Sequence, residues 1–288
     1  MSKVHSDHIN FIWTIANLLR GPYGPPQYRK VMLPLTVLRR LDCVLKPTKE
    51  KVIEKCKSLK KKKIKNIDPI LKKVAGQEFY NTSPLTFEKM VGAHENIAQD
   101  LKNYIKSFSE NARNIIERFG FEEHIDKLDE TNRLYKIMLE FSNIDLSPER
   151  VTNIDMGYIF EELVRKFNEQ ANEEAGDHFT PREVIRLMTH ILYTPDDEVF
   201  NNSGLVVKVY DPACGTGGML SVSDDYIREH SERINLELFG QEYNDESWAI
   251  CCSDMLIKGK NPEQVLNQYY VVILHNMGVY KHIIKIIC

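Results

Sequence analysis

Through the first half of the chain the apolar positions recur with a helical period. Phe11, Ile15, Leu18 and Leu19 fall at i, i+4, i+7 and i+8, the stripe of an amphipathic helix, and the stripe stops at the Gly/Pro cluster GPYGPPQY. Leu35, Leu38, Leu41 and Leu45 make a second stripe, with Pro34 near its start as a source of a kink. Further helical segments are expected near 96–118 and 131–141, and NTSP at 81–84 and LSP at 146–148 supply turn signals. No plausible run of alternating strands interrupts this region. Residues 1–150 are therefore expected to form an all-helical N-terminal domain.

Beyond residue 150 the pattern changes to helices alternating with short β-branched runs. Phe160, Leu163, Val164 and Phe167 form one more helical stripe, ending before the polar stretch NEQANEEAGD. Thr180-Pro181-Arg182-Glu183 has the form of a capping box with proline at the first helical position. It predicts a helix over 181–192 with Val184, Ile185 and Met188 turned inward. LVVKVY at 205–210 reads as a buried strand and ELFG at 237–240 as the next. Strand, helix, strand in this order is the signature of an open parallel sheet. The fold class expected is α/β, with the helical domain followed by a nucleotide-binding domain over 151–288.

Composition narrows the class. With 288 residues, 42% hydrophobic and 27% charged, the chain resembles an average folded protein and is unlike collagenous, disordered or disulfide-stapled chains. The apolar runs 269–274 and 283–287 are far shorter than the roughly 20 residues that cross a bilayer. The opening MSKVHSDHINF lacks the apolar core of a signal peptide. A cytoplasmic protein with no membrane partner is expected. Its six cysteines make no CxxC pair and no zinc-ligand spacing, so reduced thiols and no metal site are expected. The formal charge of −3 hides an asymmetry: residues 46–73 hold twelve lysines against Glu50, Glu54 and Asp68, +9 there and −12 elsewhere. A run such as LKKKKIK suits a phosphate backbone, and equally suits the solvated face of a surface helix.

The chemistry concentrates in LVVKVYDPACGTGGML, where a strand ending at Asp211 meets a glycine-rich turn that leads into a helix. Open α/β sheets bind ligands at such carboxyl ends of strands. Gly215, Gly217 and Gly218 let the backbone approach a ligand closely. About thirty residues on, Glu242 lies just past the second strand, placed to accept the hydroxyls of a ribose. A dinucleotide fingerprint needs a third glycine where Leu220 stands, and no G-K-[ST] of a Walker loop is present. An acid at the mouth of the turn repels pyrophosphate and favours an ammonium-bearing nucleoside such as S-adenosylmethionine. Cys214, inside this turn, reads as a small buried residue rather than a nucleophile.

DPACGTGG, preceded by GDHFTPREV, resembles the modification (DNA methyltransferase) subunit of type I restriction systems, a family of N-6 adenine-specific DNA methylases. The similarity extends from the helical region, with PLTVLRRLDCVL, through SDMLIKG at 253–259. The resemblance implies a Rossmann-like, S-adenosylmethionine-dependent methyltransferase domain, incomplete at its C-terminus, and methyl transfer to the exocyclic amine of adenine. It implies that Asp177, His178, Phe179, Thr180, Pro181 and Arg182 form the loop holding the methionine end of the cofactor. Asp211 with Gly215, Thr216, Gly217 and Gly218 would hold the amino end and ribose, Glu242 the ribose hydroxyls, and Asp254 the adenine amine. Double-stranded DNA, a specificity subunit and a restriction subunit are the implied partners.

Such enzymes take the target base out of the stack. The family does so with an (N/D/S)PP(Y/F) motif that this sequence lacks: Pro25-Pro26 in GPPQY has glycine for the polar residue and one residue too many before Tyr28. Asn276 in YYVVILHNMGVY stands where the motif's asparagine would, with Met277-Gly278 in place of both prolines. A C-terminally truncated chain is expected, with a strand edge left unpaired beside an apolar tail and prone to aggregation. The leading reading is an adenine-specific DNA methyltransferase subunit. The alternative is a catalytically inactive, truncated remnant that binds DNA or partner subunits. A methyltransferase acting on protein or small molecules is the weaker third.

Overall fold

The computed structural model describes residues 3–153, 155–160, 162–163, 180–196, 205–230, 234–267 and 282–286. The chain divides into two compact units, Met1–Glu173 with Leu256–Gly259, and Glu174–Met255 with Lys260–Cys288.

The first unit is helical: α1 (Lys3–Leu19), α2 (Arg29–Leu45), α3 (Lys49–Lys61), α4 (Asp68–Ala75), α5 (Phe87–Gly92), α6 (Ile97–Lys106), α7 (Glu110–Arg118), α8 (Phe121–Glu130) and α9 (Leu134–Asn143). Its first helix ends where the Gly/Pro cluster begins, and its buried stripe is Ile12, Ile15, Ala16 and Leu19. The expected helical stretch near 96–118 is two helices, α6 and α7, broken at 107–109. Helix α2 is buried on nearly all sides, polar residues included. Charged groups are tolerated there because each is bonded. Arg39 donates to the carbonyls of Ile144 and Ser142, both at 2.9 Å. Arg40, fully buried, donates to the carbonyls of Leu146 and Val151 and to Asn153 Oδ1. These two side chains strap the segment after α9 onto the core helix. Asp42 accepts from the Tyr104 hydroxyl at 2.8 Å and lies 3.6 Å from Lys49 Nζ, whose burial lowers its pKa.

The second unit contains α10 (Arg182–Tyr193), β1 (Val206–Asp211), α11 (Gly218–His230), β2 (Asn235–Glu242), α12 (Asp245–Ile257, all but its last two residues), β3 (Val265–Asn267) and β4 (His282–Ile286). The four strands form one sheet in the order β3-β2-β1-β4, and every neighbouring pair is parallel. Parallel strands joined through α11 and α12 make the βαβ arrangement that the alternating pattern predicts. Val207, Val209, Leu236 and Leu238 are buried in the sheet, and Asp211 lies opposite Gly240 at its carboxyl end.

Three expectations need correction. Pro181 is the N-cap of α10, not its first helical residue, with ψ 139° and no side-chain capping bond, so the capping box does not form. Its carbonyl accepts the first helical bond, from Ile185 N at 3.0 Å. The buried face of α10 is Arg182, Ile185, Thr189 and Tyr193. Val184 and Met188, expected inside, are 45% and 37% exposed. The apolar stripe of this helix is wide enough to allow either orientation, and packing selects the one carrying Tyr193. Finally, the edge of β1 away from β2 is covered: β4, from the apolar tail, pairs with it over Val206–Tyr210.

Candidate cofactor-binding site

Two parallel strands end side by side in carboxylates, Asp211 closing β1 and Glu242 closing β2. Between them the turn at 212–217 folds back on the sheet. Cys214 N donates to Gln241 O at 2.9 Å, which pins the turn to β2, and Gly217 N donates to Cys214 O at 2.8 Å. The turn needs glycine for two physical reasons. Gly215 and Gly217 have φ of 54° and 85°, the left-handed region that side chains disfavour. A Cβ on Gly217 would also stand 2.7 Å from Cys251 Sγ on α12.

Glu242 holds the turn from the other strand. Its Oε2 accepts from Gly215 N at 2.8 Å and its Oε1 from Asn244 N at 2.7 Å. Each oxygen keeps a further lone pair for a ligand hydroxyl. Asp211 is 6% exposed, and its Oδ1 accepts from Ala213 N at 3.1 Å. Burial, with the nearby Glu242 charge adding to it against the Ala213 bond, pushes the Asp211 carboxyl up to about 6. A carboxyl desolvated in this way gains most from a cationic partner.

These groups open on a cavity of about 460 Å³ lined by Asp211, Gly215, Thr216, Gly218 and Glu242, with Thr180 and Ile185 from the start of α10. Its size falls within the roughly 300–1,000 Å³ of ordinary small-molecule sites. Six of the sequence-derived residues therefore come together: Thr180, Asp211, Gly215, Thr216, Gly218 and Glu242. Gly217 shapes the turn without lining the cavity. Pro181 caps α10 beside Thr180, whereas Arg182 is buried with Nη2 3.9 Å from Asp225 Oδ2. Asp254 is buried within α12 and is not among the lining residues. Asp177, His178, Phe179 and Asn276 lie outside the described residues.

The cavity also recruits residues the sequence reading missed: Tyr243, Asn244 and Ser247. Tyr243 is 67% exposed on the loop after β2. Asn244 caps α12, its Oδ1 accepting from Ser247 N at 2.9 Å, and the signal was present as Asn followed by Asp245 and Glu246 in the first helical turn. Two thiols meet behind the turn. Cys214 Sγ is 3.9 Å from Cys251 Sγ, both are buried, and that contact together with burial drives the Cys251 thiol far above its usual range.

Two family models match the chain, one after the other. Residues 9–141 match the HsdM N-terminal domain, and residues 152–270 match the N-6 DNA Methylase domain. The chain is 29% identical over 105 residues to the HindI type I restriction enzyme methylase subunit of Haemophilus influenzae, covering 36% of this chain and 21% of that one. It is 23% identical over 292 residues to the MjaIX methylase subunit of Methanocaldococcus jannaschii, covering 93% of this chain and 50% of that one. A solved type I restriction-modification methyltransferase subunit from Streptococcus thermophilus shares the fold, with a TM-score of 0.64 at 19% identity, covering 91% of this chain and 57% of that one. The chain thus spans half or less of these curated relatives.

Proposed function

The chain belongs to the modification (methylase) subunits of type I restriction-modification systems, and from that premise we propose that its sheet-end cavity binds S-adenosylmethionine for methylation of the exocyclic amine of adenine in DNA. The observation that carries the cofactor is the pair of carboxylates, Asp211 and Glu242, at the ends of adjacent parallel strands on either side of a glycine turn. Bound there, S-adenosylmethionine supplies an electrophilic methyl group on a sulfonium.

The residues present suit that ligand. Asp211 accepts the ammonium of the methionine end, and the cation keeps its carboxyl ionised. Glu242 takes ribose hydroxyls with the lone pairs left beside Gly215 and Asn244. Tyr243 offers a ring face to the adenine, and Thr180, at the start of α10, polar contacts to the carboxylate. Asp177, His178 and Phe179 belong to the same loop by resemblance, and Asp254 keeps the same status as a contact to the cofactor's adenine. Methylation of an amine needs no enzyme nucleophile. Rate would come from positioning the amine in line with the methyl group.

Residues 1–150 are read as the helical domain that meets DNA and partner subunits, and residues 151–288 as the methyltransferase domain. Specificity and restriction subunits are the proposed protein partners. A second reading is a chain that binds DNA or partner subunits without transferring a methyl group, since residues 1–288 hold no (N/D/S)PP(Y/F) motif. The two are separated by incubating the chain, with and without a specificity subunit, with methyl-tritiated S-adenosylmethionine and duplexes that contain or lack adenine. Label recovered as N6-methyladenine, only from adenine-containing duplex, is the expected result. Cofactor binding without any transfer would establish the second reading, and label in cytosine or protein would overturn the adenine assignment.

A further inference from the structure

The lysine-rich segment plays no part in the cofactor cavity, and its structure is unusual in two ways. Of the twelve lysines over 46–73, three are paired: Lys46 with Glu88 at 3.9 Å, Lys49 with Asp42 at 3.6 Å and Lys72 with Asp68 at 3.1 Å. The other nine, Lys60, Lys61, Lys62 and Lys63 among them, are exposed and have no carboxylate partner among the described residues. They lie on the outer faces of α3 and α4 and on the connection between them. Nine exposed like charges on one hairpin repel one another.

The second feature is at the tip. Helix α3 ends in a Schellman turn: Ile64 N donates to Leu59 O at 3.2 Å and Lys63 N to Lys60 O at 3.0 Å. The residue in left-handed conformation, where glycine is the usual choice, is Lys63, with φ 54°. A lysine is thus held in a conformation that it resists, at the apex of the charged surface. Strain of this kind points to a role for the side chain.

We propose that the α3–α4 hairpin is a phosphate-binding surface that tracks the backbone of duplex DNA without reading its sequence. The dimensions suit a polyanion of regular charge: α3, 13 residues long, extends about 20 Å, and one DNA strand presents a phosphate roughly every 3.4 Å along the axis. A membrane fits less well. Docking to lipid needs a free apolar helix face, but that of α3, Val52, Cys56 and Leu59, is buried in the protein. Ile64, 40% exposed, sits where a Schellman turn places the apolar partner of its third-last residue, here Leu59. The assignment rests on DNA being the partner, as proposed above, but not on the cofactor cavity.

The test uses the full chain, a fluorescent 20-base-pair duplex of arbitrary sequence and anisotropy titrations between 50 and 200 mM salt. The variants replace Lys60, Lys61, Lys62 and Lys63 together by Gln or by Arg. A second Gln set at Lys51, Lys55, Lys57 and Lys73 serves if the first fails to fold by circular dichroism. Each lysine that pairs with a phosphate contributes about 0.9 to the slope of log K against log salt. The advantage of the natural chain over the Gln variant should therefore shrink about 3.5-fold per such lysine across that salt range. The Arg variant should retain binding, and S-adenosylmethionine binding should be unchanged in both. Affinity and slope unaffected by the Gln changes would overturn the proposal. So would no duplex binding by the natural chain, equal loss in the Arg variant, or preference for phosphatidylserine vesicles or polyglutamate over DNA. Failure of methyl transfer with the salt effect intact would count against the catalytic reading alone.

Discussion

Replacing Asp211 by Asn should make the ligand-free protein more stable while abolishing cofactor binding, and the stabilisation should depend on pH in a defined sense. The carboxyl titrates at about 6 in the folded chain against 3.8 for an unperturbed aspartate. Between those values the folded state binds more protons than the unfolded state, so stability falls as pH rises from about 4 to about 6 and is flat above. Two pKa units at 1.36 kcal/mol each make the full ionisation penalty at pH 8 roughly 3 kcal/mol. Asn removes the ionisation and keeps an oxygen for the Ala213 N–H, so nearly all of that penalty should be recovered at pH 8 and none at pH 3.5. Urea denaturation of both proteins at the two pH values measures it through the transition of the second unit. An Asn variant no more stable than wild type at pH 8, or equally stabilised at both, would refute the desolvation of Asp211. A stabilising substitution that destroys binding is the behaviour expected of a group kept for function.

Gly217→Ala should lose cofactor binding and destabilise the second unit by about 2–4 kcal/mol in thermal unfolding, because the new Cβ combines left-handed strain with a 2.7 Å approach to Cys251 Sγ. In the helical unit, Arg40→Ala should cost about 3–5 kcal/mol in denaturant melts, since it strands the buried carbonyls of Leu146 and Val151 and leaves a cavity under the segment that Arg40 holds. Lys63→Gly should raise the melting free energy by about 1 kcal/mol through relief of the left-handed strain, while weakening duplex binding.

The elements legible in the sequence were those with a strong period or a hard stop. Helix α1 ends at Gly21-Pro25-Pro26 territory as the cluster demands, and β1 follows its β-branched run to Asp211. Helices α3 to α5 and α8 are not legible there, because their apolar stripes are two to four residues long and are completed by packing on other helices, α3 and α4 on each other, α5 on α9 and α8 on α2. Helix α10 shows the limit of periodicity: Val184, Leu187, Met188 and Ile191 form as good a stripe as the buried one, and only the tertiary choice of Tyr193 settles the orientation. In the cavity, Asp211, Glu242 and the glycines could be read because strand ends and turns have fixed chemistry. Tyr243 and Ser247 could not, since their place depends on how the loop after β2 turns into α12. That Glu242 clamps the turn through Gly215 N is a contact across 27 residues that no local pattern encodes.

Glu242 clamps the turn as well as being the proposed acceptor of ligand hydroxyls, which makes Asp211 the cleaner probe of the central claim. Isothermal titration of S-adenosylmethionine into the purified chain and into Asp211→Asn, at pH 5 and pH 8, tests it most directly. Saturable binding to the natural chain is expected, weaker at pH 5 because a proton must leave Asp211 first, and none to the folded Asn variant. A folded natural chain that does not bind, or an Asn variant that binds equally well at both pH values, would contradict the assignment of the cavity to this cofactor.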